Sequence, residues 1–526
     1  MGFSTVAVAR AEVREPRSSV YPPWLKRAAF AALPVALILL WTCAVRLPFY
    51  TQTDKDEFFF SVIAAEWLKG GLPYVATFDI KPPGVFFIFA VAQSLFGAAQ
   101  ATIKGMEIVA VTLGAYGLYS LMRANRMQRA ALWVAVLYPV YTLTLAGTVT
   151  SAMMLQLPLL ILAFAAMLAA VREGEEPGKR LRQAFVAGLF VGAAGMVKQT
   201  AIFEAAAVFT VMCIYGERRR LLALGGLFVL GAGLPAAAFS LYFLAAGHFR
   251  EMFEAVVVLA AQRTSPDVLA GYGPAAAYNF TILGSLENTF LPSAPLIFLW
   301  GGAAFAVLRL KRLRQAFPVR VLVVAGLWLV ASLVGVMAGR GLCTYYLLAI
   351  VPPLLVLAAA FFSHGLEVAP RNRQLAFVLS LMAAALSMVY VDHHDLFSPN
   401  AFLAGDFPAT RQVSRKLLDL GLTPVDRLLV LNRGLAVYTE TGALPPSPYF
   451  HPTQLLGIFH TPSPDPLGEA LNANPRFIVI ADPEVWHITE QRSRIDRALD
   501  YVGSHYRAAA TITGARDSYT IYEYVG

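Results

Sequence analysis

The stretch from Thr53 to Gly84 reads TDKDEFFFSVIAAEWLKGGLPYVATFDIKPPG. It follows the first long apolar segment directly and gathers Asp54, Lys55, Asp56, Glu57, Asp79 and Lys81 in a chain otherwise poor in charge. Ionised side chains at a membrane border cost free energy unless they are paired or used, so such a cluster marks a site. Its meaning depends on what surrounds it.

The surroundings are those of a bilayer. Hydrophobic residues make up 57% of the chain and charged ones 14%, against roughly 45–50% and about 25% in soluble domains. Apolar runs of about 20 residues, the length that crosses a hydrocarbon core, recur from Ala28 to Tyr390. The fold class expected is a polytopic α-helical membrane protein. The net charge of +9 follows from loop topology, and nucleic acid is not an expected partner. Cys43, Cys213 and Cys343 fall in or beside apolar segments, which gives neither a disulfide framework nor a metal motif. Arg10, Arg14, Arg17, Lys26 and Arg27 precede the first span with no small-residue cleavage site, so that helix is expected to be retained.

Lysine and arginine cluster in alternate loops: Arg123 to Arg129, Arg172 to Arg182, Arg218 to Arg220, Arg309 to Arg320, and Arg371 with Arg373. The positive-inside rule assigns these and the N-terminus to the cytoplasm. The expected spans are 28–47, one crossing within 84–122, 130–147, 151–171, 184–198, 199–215, 221–246, 292–308, 321–338, 345–363 and 375–391. That is about 11 crossings, with the C-terminus outside. Within 84–122, the 13 residues of 84–96 reach only about 20 Å as a helix, so a short helix at the outer interface plus one full crossing is expected. The domains are then a cytoplasmic tail (1–26), a transmembrane domain (27–392) with its first external loop at 50–83, and an extracytoplasmic domain (393–526). In the last, strand-like runs at 427–431, 476–480, 508–513 and 519–524 alternate with helical patterns near 408–419 and 488–501. This predicts a small C-terminal α/β domain capping the external mouth. No glycine-rich phosphate loop opens its helices.

Asp56 and Glu57 fall near the start of a helix expected to lie along the interface and to stop at Gly70-Gly71. Pro82 and Pro83 fix an extended approach to the next apolar segment and hold Lys81 on a stiff support. A fixed ammonium there suits a lipid phosphate. His393-His394-Asp395 resembles a metal cluster, but three consecutive residues cannot all face one ion; no metal site is expected. The long external stretch 248–291, with an apolar run Met252–Ala261, is a candidate gate over the site.

The order D-E, helix, G-G-x-P-Y, then F-D-x-K-P-P-G resembles the first external loop of the GT-C membrane glycosyltransferases of the protein-mannosyltransferase and aminoarabinose-transferase type (glycosyltransferase family 39-like). Gly147 to Ser151 before Met153 to Pro158, Gly195-Met196-Val197-Lys198-Gln199-Thr200, and Gly339-Arg340-Gly341-Leu342-Cys343-Thr344-Tyr345-Tyr346 ending in Pro352-Pro353 are similar to later segments of that family. Thr344 departs from the pattern, since many relatives have His there.

The resemblance implies a GT-C fold and a transferase that takes a sugar from a polyprenyl-phosphate donor on the external face. The acceptor is a hydroxyl of a lipid, glycan or protein. An inverting transfer needs a base for the acceptor proton, and Asp56 is the candidate. Glu57 either orients Asp56 or binds the acceptor, and the two roles could be exchanged. The leaving phosphate needs fixed cations, for which Lys81, Lys198 and Arg340 are candidates; Asp79 joins the substrate-binding set, and Tyr345 adds a hydroxyl donor. Asp54 is the runner-up acid. Membrane lipids are the remaining partners, and no cofactor is implied. The competing readings are a lipid or glycan transporter or flippase, which should show broken helices at the midplane and related halves, and a non-catalytic envelope assembly protein.

Overall fold

A computed structural model describes residues 23–53, 55–262, 296–308, 318–339, 344–367, 407–457, 461–481, 492–514 and 517–526, with single residues between 284 and 293 and between 382 and 386. The candidates Arg340 and Asp54, the His393–Asp395 cluster, residues 263–283 of the expected gate and most of the expected 375–391 span lie outside them.

The fold is mostly helical. In chain order come α1 (Pro23–Arg46), α2 (Lys55–Leu68), α3 (Pro83–Phe96), α4 (Gln100–Ala124), α5 (Gln128–Tyr141), α6 (Ala152–Ala170), α7 (Pro177–Val197), α8 (Ala201–Tyr215) and α9 (Leu221–Ala245). Helices Ile297–Leu308, Val319–Ala338 and Val351–Glu367 follow, the last preceded by a 3-10 turn at Thr344–Ile350. Five helices among the described residues are long and apolar enough to cross a bilayer: Ala32–Phe49, Gln100–Ala124, Ala152–Ala170, Arg218–Ala245 and Val319–Ala338. Pro83–Phe96, Ala201–Tyr215 and Thr344–Ala359 are shorter apolar helices. The 84–122 region divides as its composition predicts, into a 14-residue α3 and a 25-residue α4.

The helix α5 ends earlier than expected. It stops at Tyr141, and residues 142–149 turn, with Leu145 and Ala146 both at positive φ (60° and 55°). The backbone groups released by this turn bind buried charges. Arg46, at the end of α1, pairs with Glu107 of α4 and donates to Gly147 O (2.9 Å) and Thr142 Oγ1 (2.8 Å). Lys104 donates to Glu107 Oε2 (3.3 Å) and to Thr148 O (2.8 Å), and lies 3.6 Å from Glu57 Oε2. Glu57 in turn accepts from Thr150 N at 2.9 Å. Charges in a low-dielectric interior persist when paired and hydrogen-bonded. Here they tie α1, α2, α4 and the turn together.

The C-terminal part is the small α/β unit expected. Its strands are β1 (Leu428–Leu431), β2 (Phe477–Ala481), β3 (Tyr506–Thr513) and β4 (Ser518–Tyr524), in the order β1-β2-β4-β3. β1 and β2 run parallel; the β2–β4 and β4–β3 pairs are antiparallel, with an irregularity between Ala508 and Ala510. Every residue of β1 and β2 is buried, as expected for strands covered on both faces.

This unit packs directly on α2, which corrects the expectation of a helix lying along an open interface. Residues 58–64 of α2 are buried without interruption, so no polar face is left for water. Phe58 stacks on Phe407, Phe59 meets Phe450 with centroids 4.8 Å apart, and Ser61 Oγ lies 3.1 Å from Thr439 Oγ1. The apolar run Phe58-Phe59-Phe60 lacks helical amphipathicity because it is sandwiched between two bodies.

Candidate active site

Asp56 occupies the first turn of α2, where the helix dipole favours a carboxylate. Tyr345, from the 3-10 turn 289 residues away, donates its hydroxyl to Asp56 Oδ2 at 2.7 Å. His451, from the C-terminal unit, brings Nε2 to 4.0 Å from Asp56 Oδ1. Glu57 is fully buried in the ion network. Its bonds anchor the start of α2, on which Asp56 sits.

The lysines come together by a close helix contact. At Gly84, in the first turn of α3, a Cβ would stand 2.5 Å from Met196 O of α7. Only glycine permits that approach. It sets the loop carrying Lys81 against the break between α7 and α8. At that break Lys198 is extended (φ −154°, ψ 131°), and its amide oxygen accepts from Gln156 Nε2 at 2.8 Å. Gln199 Nε2 donates to Ile80 O at 2.7 Å and to Val256 O at 3.2 Å, joining the break to the residue before Lys81. Lys198 Nζ sits over the Tyr346 ring, 3.3 Å from its centroid, and 5.8 Å from that of Tyr345. Lys81 lies over Phe60 at 4.7 Å and 3.7 Å from Asp79 Oδ2, so Asp79 serves as its counter-ion. Tyr74, in the loop before Lys81, donates to Lys81 O at 2.7 Å. Burial, assisted by the Asp79 carboxylate, raises the pKa of this phenol well above its ordinary value and keeps it a donor.

A cavity of about 640 Å³ opens beside this cluster. Lys81, Lys198, Gln199 and Tyr346 form its polar end; the remaining wall is mostly small and apolar, including Gly192, Ala201, Ala205, Ala232, Ala260 and Ala261. Such a wall suits an alkyl or isoprenoid chain, and the cations suit an anionic head. The apolar run after His248 contributes Val256, Val257, Ala260 and Ala261, so the described first part of the expected gate borders the cavity.

The structure thus brings Asp56, Tyr345, Lys198, Lys81 and Asp79 into one region, and it sets Glu57 behind it. Among the described residues, no group of three or more His, Cys, Asp or Glu side chains is placed to hold a metal ion. The residue missed from the sequence is His451, a lone histidine in a loop with no motif around it. The Lys104–Glu107 pair is visible as two charges in an otherwise apolar helix, the pattern that marks a buried network.

The architecture, a helical membrane body with Asp56 at the start of α2 and a small sheet unit packed on that helix, has the GT-C fold. Residues 80–243, from Lys81's loop to the end of α9, match the family described as dolichyl-phosphate-mannose-protein mannosyltransferase. ArnT from Cupriavidus metallidurans bound to undecaprenyl phosphate is similar over 94% of this chain and 98% of its own, with 17% identity and a TM-score of 0.59. The apo state of the same protein gives 16% identity and a TM-score of 0.61 over the same shares. The archaeal oligosaccharyltransferase of Archaeoglobus fulgidus, in a complex with zinc and sulfate, gives 12% identity and a TM-score of 0.54 over 94% of this chain and 73% of its own. No curated protein sequence matches the chain. The likeness to the solved structures is one of fold, and it runs through both the membrane body and the C-terminal unit.

Proposed function

We propose that the protein is an inverting membrane glycosyltransferase that moves a sugar from a polyprenyl-phosphate donor to an acceptor hydroxyl on the external face of the membrane. The observation that carries this reading is the continuous contact from acid to cation: Asp56 on Tyr345, Tyr345 against Tyr346 with ring centroids 5.1 Å apart, and Lys198 on Tyr346 at the polar end of an apolar cavity. A base for the acceptor and a cation for the leaving group lie side by side, with room for a lipid chain. The undecaprenyl phosphate bound by the structurally similar ArnT supports this class of donor.

In this reading the Asp56 carboxylate takes the proton of the acceptor hydroxyl as its oxygen attacks the anomeric carbon. The new C–O bond forms on the face opposite the phosphate, and the anomeric C–O bond breaks. Its electron pair passes to the phosphate oxygen, whose charge is met by Lys81 and Lys198. Those two ammonium groups supply the charge stabilisation without a required metal ion. Arg340, outside the described residues, is a third candidate cation by its sequence motif alone. The C-terminal unit caps the site from outside.

The test is mass spectrometry of envelope glycans and lipids from cells lacking this protein, before and after it is restored. The reading expects one sugar linkage to disappear and to return with the protein, in the anomeric configuration opposite to that of the donor. An unchanged set of linkages, or retention of configuration, contradicts it.

A further inference from the structure

His451 does not belong to the membrane body, yet its ring reaches the candidate base. It is the N-cap of the short helix Pro452–Leu455 in a capping box. Thr453 N donates to His451 Nδ1 at 3.3 Å, and Thr453 Oγ1 lies 2.6 Å from the same nitrogen. A nitrogen that accepts a backbone N–H carries its lone pair there, so the proton of the neutral ring sits on Nε2. That nitrogen lies 4.0 Å from Asp56 Oδ1.

The ring is fixed on every side. His451 is 5% exposed, and its ring meets that of Phe59 edge to face with centroids 4.8 Å apart. Gln454 closes the capping box by accepting from His451 N at 3.2 Å, and its amide nitrogen donates to Phe78 O at 2.8 Å. Phe78 N donates to Pro448 O at 2.9 Å. The segment bearing His451 is thereby bonded to the residue next to Asp79, within the loop that carries Lys81.

We infer that His451 is a positioning residue for Asp56. Its Nε2–H addresses one carboxylate oxygen while the Tyr345 hydroxyl holds the other, so that docking of the C-terminal unit completes the acid site. This inference rests on the reading of Asp56 as the base. A separation of 4.0 Å exceeds that of a formed hydrogen bond; such contacts commonly tighten when substrate fills a site. Contacts at both oxygens hold the carboxylate in one rotamer and leave its other lone pairs for the acceptor proton.

A histidine at an N-cap has a second use, to satisfy the helix start, and two substitutions separate the uses. Asparagine is among the best N-caps and reproduces the Nδ1 acceptor, but it is too short to reach Asp56. Glutamine places an N–H near the Nε2 position and is a poorer cap. His451→Gln and His451→Asn, expressed at matched levels in cells lacking the protein, are compared by the initial rate at which the missing linkage returns. Positioning predicts that the glutamine variant is faster by about tenfold, although the asparagine variant melts at the same temperature or higher. A ratio of about one or less, whatever the absolute rates, overturns the inference. Asp56→Asn is measured alongside. If it is inactive while the ratio is one, only the role of His451 falls; if it retains transfer, the base reading itself falls.

Discussion

Tyr345 donates its hydroxyl to Asp56 Oδ2 at 2.7 Å across 289 residues of sequence. The bond joins the first loop to the 3-10 turn before the Val351–Glu367 helix, so the orientation of the acid depends on both ends of the membrane body. The sequence suggests that Tyr345 adds a hydroxyl donor near the leaving phosphate; in the structure its hydroxyl donates to Asp56, the proposed base. Tyr345→Phe keeps the ring packing and removes this bond alone. It should lower the transfer rate about tenfold, equivalent to about 1.4 kcal/mol in the barrier, with little change in affinity for undecaprenyl phosphate. Paired rate and binding measurements on the variant check this; a lost affinity with an unchanged rate would return Tyr345 to the phosphate.

Lys81 and Lys198 approach the polar end of the cavity from separate segments. Each charge-assisted hydrogen bond to a phosphate contributes about 1.5–3 kcal/mol. Lys81→Ala and Lys198→Ala should each weaken binding of undecaprenyl phosphate by about tenfold or more. Titration of the purified variants in detergent measures it. Wild-type affinity in either variant removes that lysine from the site.

Gly84 packs against Met196 O with no space for a Cβ. Gly84→Ala should push α3 from α7 and displace Lys81 relative to Lys198. The expected result is a loss of donor affinity similar to that of the lysine variants, with both lysines present. A variant with unaltered binding would show that the helix contact does not set their spacing.

The network of Arg46, Glu107, Lys104 and Glu57 is buried, so removing one partner leaves an uncompensated charge. Glu107→Ala should destabilise the protein by about 3–5 kcal/mol. Thermal unfolding in detergent would register this as a lower midpoint. Glu57→Gln should be milder, because the amide oxygen can still accept from Thr150 N, and it should retain measurable transfer. Complete inactivity of Glu57→Gln in a stably folded protein would give Glu57 a chemical role after all.

Much of this architecture is legible in the amino-acid sequence. Apolar runs mark the helices, and Pro82-Pro83 together with Gly84 mark the rigid start of α3. The break at Lys198-Gln199 is visible as a polar pair between two apolar segments. Alternation of strand and helix patterns marks the C-terminal sheet. Three features are hidden for physical reasons. The helix α2 looks interfacial because its second covering, the C-terminal unit, is hundreds of residues distant. The early end of α5 depends on buried charges that draw the 142–150 backbone out of helix, which no local propensity reports. His451 has no partner nearby in sequence for its Nε2, and only the docking of the C-terminal unit on α2 gives it one.

The central claim is that Asp56 is the base of a sugar transfer. Its most direct test is Asp56→Asn, which keeps the size of the side chain and a lone pair for Tyr345 while removing the basic oxygen. The variant should fold, bind undecaprenyl phosphate with the affinity of the natural protein, and restore none of the missing sugar linkage to cells that lack the protein. Restoration at the natural rate would contradict the account.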